Sequence, residues 1–249
     1  MRKSEIEKMA RLEKTYWWFV GRRFLIQLLL SRYGYRLPSQ SLILDIGCGS
    51  GGNLPLLSRW GKVVGLDPSP TALRWARQKK IGFLVLGDGH HLPFQDRSFD
   101  LVTLLDVLEH MDDDRRGLKE VWRVLKPQGI LILTVPAFMS LWSGHDIALG
   151  HRRRYLLKPL SNLLQECGFQ NRLIRYCIIG VFPAVYIFRK VQKYLGAGKE
   201  ATTALIELPD FLNRLLIQIL KVEALLLEVL KAPFGVSIVA VCQKIDPGS

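Results

Sequence analysis

The chain is 249 residues long, 49% hydrophobic and 23% charged, which suffices for a substantial core and excludes a disordered chain. No run reaches the roughly eighteen apolar residues of a membrane span; the nearest, 177–188, is short and broken by Pro183. The net charge of +13 sits on two basic flanks, with nine Lys/Arg against three acids over 1–40 and ten against three over 145–200, around a balanced centre of twelve against eleven over 41–144.

Residues 4–33 read as helical and are rich in Trp17, Trp18, Arg22 and Arg23, after an opening Met1–Glu5 that lacks the apolar core of a signal peptide. Residues 41–46 read as a first strand entering a glycine turn, and 63–66, 83–86, 99–105 and 130–135 as the next four. Helical patterns fall between them over 54–60, 70–79 and 114–125, the last beginning on the acidic Asp112–Asp114. A helix over 157–167 closes at Gly168, and 173–179 and 236–243 read as a sixth and a seventh strand. Between those two lies an insertion of more than fifty residues, too long for a plain loop, with Leu208, Leu212, Leu215, Ile219, Val222, Leu226 and Val229 at helical spacing. Alternating strands and helices predict an α/β fold with a largely parallel sheet. The expected organisation is an N-terminal helical lid over 1–40, a core over 41–176, a hydrophobic helical cap over 177–234, and the final strand and tail over 235–249.

The stretch 42–53 carries the chemistry. Glycines between a strand and a helix let the backbone approach a ligand closely. Gly47, Gly49 and Gly52 fit the GxGxxG dinucleotide fingerprint, and Asp67 follows about twenty residues later, where an acid can accept ribose hydroxyls. A nicotinamide-dependent dehydrogenase is therefore open at this point. Three features separate the readings: Asp45 at the end of the first strand, Asp88–Gly89 after the third, and the long segment from Phe99 to Gly129.

The motifs LDIGCGSG, GLDPS, GDGHHLPFQDRSFDLV, VLEH and LKPQG, in this order over residues 41–136, resemble the class I, Rossmann-like S-adenosylmethionine-dependent methyltransferases, in particular the methyltransferase type 11 group. One departure is Gln128, where that family usually has glycine. The resemblance implies a doubly wound seven-stranded sheet with its last strand antiparallel, and S-adenosyl-L-methionine as cofactor. It also implies roles. Gly47, Gly49 and Gly51 would pass under the methionine part of the cofactor, with Asp45 steadying the turn. Asp67 would take the ribose hydroxyls, Asp88 the adenine amino group with the Gly89 backbone beside it, and Asp106 would lie near the sulfonium. A cap or turn role is the plain reading of each acid taken alone.

Methyl transfer mainly requires alignment and exclusion of water, and a base only if the acceptor must lose a proton. The candidates follow the fifth strand: His145 or His151 as general base with Asp146 orienting it, and Arg152, Arg153 and Tyr155 to grip an anionic acceptor, against the alternative of a hydrogen-bond network tying down the loop. A metal held by His145, Asp146 and His151 matches no strong ligand spacing, so no metal is expected. His110 either positions the acceptor or packs. Trp17, Trp18 and Arg22 are expected to cover cofactor and acceptor as a lid, so that deleting 1–30 weakens cofactor binding while the remainder stays folded; the plainer reading is a helix packed on the core.

The expected acceptor is a small molecule or a lipid-linked, anionic one. The basic flanks also suit an anionic membrane surface, or solubility alone. A non-catalytic membrane-surface or partner-binding module with a vestigial fold is the alternative from another class. Nucleic-acid methylation, prompted by the charge, is set aside because 105–109 lacks the Asn/Asp-Pro-Pro-aromatic motif of base-amino methylases. Four cysteines without metal spacing suggest reduced thiols, and hence a cytoplasmic chain able to lie peripherally on a membrane.

Overall fold

The computed structural model describes residues 3–34, 37–38, 40–194, 205 and 208–245; parts of the predicted lid (1–2, 35–36, 39), cap (195–204, 206–207) and tail (246–249) lie outside them. Seven strands, β1 Leu42–Ile46, β2 Lys62–Asp67, β3 Phe83–Leu86, β4 Phe99–Leu105, β5 Leu125–Pro136, β6 Phe169–Cys177 and β7 Ser237–Lys244, form one sheet in the order β3-β2-β1-β4-β5-β7-β6. The first five run parallel, and β7 inserts antiparallel between β5 and β6. β4 and β7 are buried at every position, as expected of strands covered on both faces. The strand order reverses direction between β1 and β4, which opens a crevice at their carboxyl ends.

Side-chain alternation divides the core between the two faces. On one, Leu44, Val102, Leu131 and Ile238 meet Leu118 and Val121 of α5 (Asp114–Val124) and Leu160 and Leu164 of α7 (Leu157–Glu166). On the other, Ile43, Val63, Leu101 and Val239 meet α2 (Trp17–Tyr33), α4 (Pro70–Arg77) and α9 (Asp210–Leu226). The remaining helices are α1 (Lys3–Leu12), the one-turn α3 (Leu54–Leu57), α6 (Gly144–Leu149) and α8 (Phe182–Tyr194).

The structure corrects several expectations. Residues 1–30 are not removable: Leu25, Ile26, Leu29 and Leu30 of α2 are buried in the second core cluster, so their loss would strip one face of the sheet. Lid and cap also pack on each other. A Cβ built on Gly21 would sit 2.3 Å from Leu220 Cδ1 and 2.8 Å from its Cβ, so only glycine lets α9 lie this close to α2. Asn213 of α9 accepts from Trp17 N at 2.9 Å and donates to Thr15 O at 2.9 Å. β5 begins at Leu125 rather than 130, because Leu125 already pairs with Phe99 across a register shift. β6 begins at Phe169 rather than 173, where it pairs with Lys244. Gln128 takes φ +63°, the conformation for which the family pattern has glycine.

Candidate functional site

The glycine turn leaves β1 with Gly47, Gly49 and Gly51 at φ +67°, +55° and +80°. A Cβ on Gly47 would meet Val107 at 2.5 Å, whereas one on Gly49 would meet nothing within 4 Å. Gly47 is thus fixed by packing, while Gly49 borders open space into which a ligand can approach the backbone. Asp67, at the end of β2, latches this turn: its carboxylate accepts from Gly49 N at 2.9 Å and from Ser69 N at 2.8 Å. Burial raises its pKa, and those two N–H groups oppose the rise. Asp45 is buried beneath the turn, one oxygen accepting from Thr103 Oγ1 at 2.6 Å and the other without a partner. Burial lifts its pKa to about 6.

Asp106 caps β4 at φ +58°, a strained conformation for a non-glycine residue. It is held by Thr134 Oγ1 at 2.9 Å and by an ion pair with Arg22 of α2. Phe138 after β5 and Ile178 after β6 also have positive φ, so three strained residues follow strands that end on this edge of the sheet. Arg22, Asp106, Trp18, Leu25, Ile178 and Leu220 border a narrow, mainly apolar crevice. Trp17 lies beside Trp18 in an edge-to-face contact, with a buried Nε1 that has no partner.

Asp88 is more exposed, and its carboxylate accepts from His90 N at 3.0 Å and lies 2.8 Å from His90 Nδ1. Gly89 is required by packing, since a Cβ there would meet Met111 Cε at 2.5 Å. Glu13, which the sequence reading passed over, is buried between Ser50 of the glycine turn and Lys79, hydrogen-bonded to both. It pins the linker between α1 and α2 onto the turn. Nothing local marks such a residue; only the return of the N-terminal segment across the sheet edge brings it there.

Around the predicted base the structure favours the network over the grip. Asp146 is fully buried and closes a capping box with Ser143 at the start of α6. Its oxygens also take His151 Nδ1 at 2.9 Å, Arg154 Nε at 2.8 Å and Arg154 Nη2 at 3.1 Å. Burial would raise this carboxyl, but His151 and Arg154 outweigh it and hold it well below the usual range. His145 stands with its ring centroid 6.4 Å from that of His151, and burial, with the nearby Arg189 charge, lowers its pKa to about 4. His110, lowered to about 4 by burial and then by His151, packs edge-on to His151 at 4.8 Å.

Arg152, Arg153 and Tyr155, the residues expected to meet an anionic acceptor, each have a partner within the chain. Arg152 pairs with Asp112 at 2.6 Å, Arg153 with Asp114 at 2.9 Å, and the buried Tyr155 hydroxyl donates to Asp114 at 2.9 Å. Together they fasten the loop after β4 to the segment after α6. Glu109, within the same loop, is fully buried and neither oxygen has a hydrogen-bond partner; burial first, then the Asp106 charge, raise its pKa well above the ordinary value.

Comparison with known proteins places this geometry. The family described as a methyltransferase domain matches residues 44–133. A demethylmenaquinone methyltransferase of Lactiplantibacillus plantarum is 37% identical over 172 residues, covering 54% of this chain and 73% of that one. Norajmaline N-methyltransferase of Rauvolfia serpentina is 29% identical over 135 residues, covering 50% of this chain and 46% of its own. A solved S-adenosylmethionine-dependent methyltransferase from Archaeoglobus fulgidus shares the fold with a TM-score of 0.58 at 20% identity, over 95% of this chain and 99% of that one. The chain spans between 42% and 61% of the length of the first three curated relatives it matches.

Proposed function

The chain belongs to the class I S-adenosylmethionine-dependent methyltransferases, and from that premise we propose that it transfers the methyl group of S-adenosyl-L-methionine to a small, apolar or lipid-linked acceptor. The observation that carries this reading is the meeting of two features at one sheet edge: the Asp67-latched turn with open space above Gly49, and the strained Asp106 at the end of the neighbouring β4.

The residues present fit the cofactor. Each Asp67 oxygen keeps a second lone pair after accepting one N–H, enough to take ribose hydroxyls. Asp45, with its orphaned oxygen under the turn, supplies negative potential toward a methionine ammonium. Asp106 does the same for a sulfonium, and Arg22, already on Asp106, reaches the same place from α2 to meet a carboxylate. Asp88 and the Gly89 backbone would flank the adenine. When bound, the cofactor supplies an activated methyl carbon; the protein's contribution is to orient it and to exclude water. Trp18 borders the crevice beside Arg22, with Trp17 edge-on against it, and this packing supports the share of the lid in excluding water.

The apolar crevice beside Arg22 suits a greasy acceptor, and one relative is named for demethylmenaquinone. Isotope-labelled methyl donor incubated with lipid and metabolite extracts, with and without the protein, tests the reading. Label entering an extractable apolar product is the expected result; no labelled product, together with no heat from S-adenosylmethionine in calorimetry and tight NADH uptake, would overturn it.

A second reading, peripheral contact with an anionic membrane, is supported by one observation. Ile187, Phe188, Val191 and Tyr194 of α8 are exposed beside Arg189 and Lys190, and Phe211, Leu215 and Val222 of α9 are exposed as well. No described helix is long and apolar enough to cross a membrane. Flotation with vesicles containing phosphatidylserine tests it: co-migration that fades with salt supports contact, and none at low salt refutes it.

A further inference from the structure

The geometry points to a divalent-metal site, of the zinc class, formed by Glu109, His110 and His151. Each of the three presents one ligand atom, and these atoms lie within 4.8 Å of one another. His151 Nε2 is 3.8 Å from Glu109 Oε1. Metal–ligand distances of roughly 2.0–2.1 Å imply tetrahedral ligand separations of about 3.3 Å, so a modest contraction closes the set around an ion.

Three further observations distinguish this cluster from a chance gathering. First, Glu109 is fully buried and neither oxygen accepts a hydrogen bond, a costly state for a carboxyl group that has no cation. The neighbouring Arg22 and Arg154 act on it only through space, without a direct contact, because Arg22 pairs with Asp106 and Arg154 with Asp146. Second, both imidazoles are oriented by an acceptor on their other nitrogen. His151 Nδ1 lies 2.9 Å from Asp146 Oδ1, and His110 Nδ1 lies 3.3 Å from Gly150 O. A carbonyl only accepts, so His110 donates from Nδ1 and its Nε2 lone pair is left for another partner. A carboxylate or carbonyl behind each histidine is the usual support of a metal-bound imidazole. Third, the backbone is built to converge. Glu109 and His110 share one turn of 3-10 helix after β4, and His151 follows Gly150, whose φ of +78° ends α6 and turns the chain back, with Arg152 N donating to Glu109 O at 2.9 Å.

Two imidazoles and one carboxylate suit zinc and the later first-row metals better than magnesium or calcium. Three protein ligands leave a fourth position open, the arrangement of sites that bind a water or a substrate oxygen. The expectation of no metal rested on His145, Asp146 and His151 as the ligand set; here Asp146 stands behind His151 instead, and the ligands come from two segments some forty residues apart. The inference does not depend on the cofactor or the acceptor.

The test uses the full chain, stripped with a chelator and then titrated with zinc chloride against a chromophoric competitor. One equivalent bound to the wild type is expected, with at least a 100-fold loss of affinity in Glu109→Gln and in His110→Asn, and a loss of 10- to 100-fold in Asp146→Asn. Cobalt(II) in place of zinc should give the intense visible bands of a tetrahedral site, absent in Glu109→Gln. Thermal unfolding of the metal-free proteins identifies any variant that fails to fold, and Glu109→Gln, which only replaces an unpartnered carboxyl, keeps the test decisive if Asp146→Asn does. No stoichiometric zinc on folded wild-type protein overturns the site, as does binding that survives in Glu109→Gln and His110→Asn but is lost in His90→Ala. Because this readout is metal binding, it is separable from the fate of the methyl-transfer proposal, which rests on nucleoside binding and product formation.

Discussion

Replacing Asp67 by Asn removes the charge from a buried carboxylate that holds two backbone N–H groups, Gly49 N at 2.9 Å and Ser69 N at 2.8 Å. The amide retains one oxygen and turns an NH2 group toward the other N–H, so one charge-assisted hydrogen bond is lost. Such bonds contribute about 1.5–3 kcal/mol. For a domain of this size about 2–4 °C of melting temperature follows each kcal/mol, so the lost bond lowers unfolding by at most roughly 12 °C, and removing a buried charge whose desolvation raises the Asp67 pKa offsets part of that fall. If the same carboxylate also takes the ribose hydroxyls, the loss of one further charge-assisted interaction should weaken S-adenosylhomocysteine binding by roughly 10- to 150-fold. Calorimetric titration well below the melting temperature separates the two effects. A lowered melting temperature with affinity within about 2-fold of wild type would show that Asp67 only braces the turn and would refute the assignment of its ribose role.

Three further outcomes follow from the packing. Burial lifts the Asp45 pKa from 3.8 to about 6, so its contribution to stability is most favourable below about 3.8 and is lost as pH rises through 6. Asp45→Asn should therefore gain about 3 kcal/mol relative to wild type between pH 4 and pH 7, measured by urea unfolding at each pH; a difference independent of pH would contradict this. Gly21→Val should cost about 1–3 kcal/mol by pushing α9 off α2, and Leu220→Ala should recover part of it in the double variant; strictly additive effects would deny the contact. Gln128→Gly should leave stability unchanged or raise it by up to about 1 kcal/mol, because relief of the φ +63° strain offsets the added freedom of the unfolded chain; a fall of more than 1 kcal/mol would show that the side chain matters.

What the amino-acid sequence determined by itself was whatever short-range rules decide. A strand, a glycine turn and a helix within sixteen residues put Gly47, Gly49 and Gly51 at positive φ, and acids at the carboxyl ends of β1, β2 and β4 had to arrive at one sheet edge once those strands were neighbours and parallel. The motif order carried the family for the same reason. Tertiary structure alone decided which side chains reach one another from distant segments. Trp17 to Tyr33 reads equally as a lid or a core helix until Gly21 is seen against Leu220; its inner face then covers the sheet while Trp18 and Arg22 face the crevice. Arg152 and Arg153 are free cations in a sequence and ion-paired braces in the fold, because Asp112 and Asp114 come back beside them. Glu109, His110 and His151 are ordinary residues along the chain; what joins them is the left-handed Gly150 turn that returns His151 to the end of β4 and leaves a buried carboxyl facing it without a hydrogen bond. Local pattern constrains backbone conformation over a few residues, whereas the partner that satisfies or abandons a buried charge is set by chain return over forty residues or more.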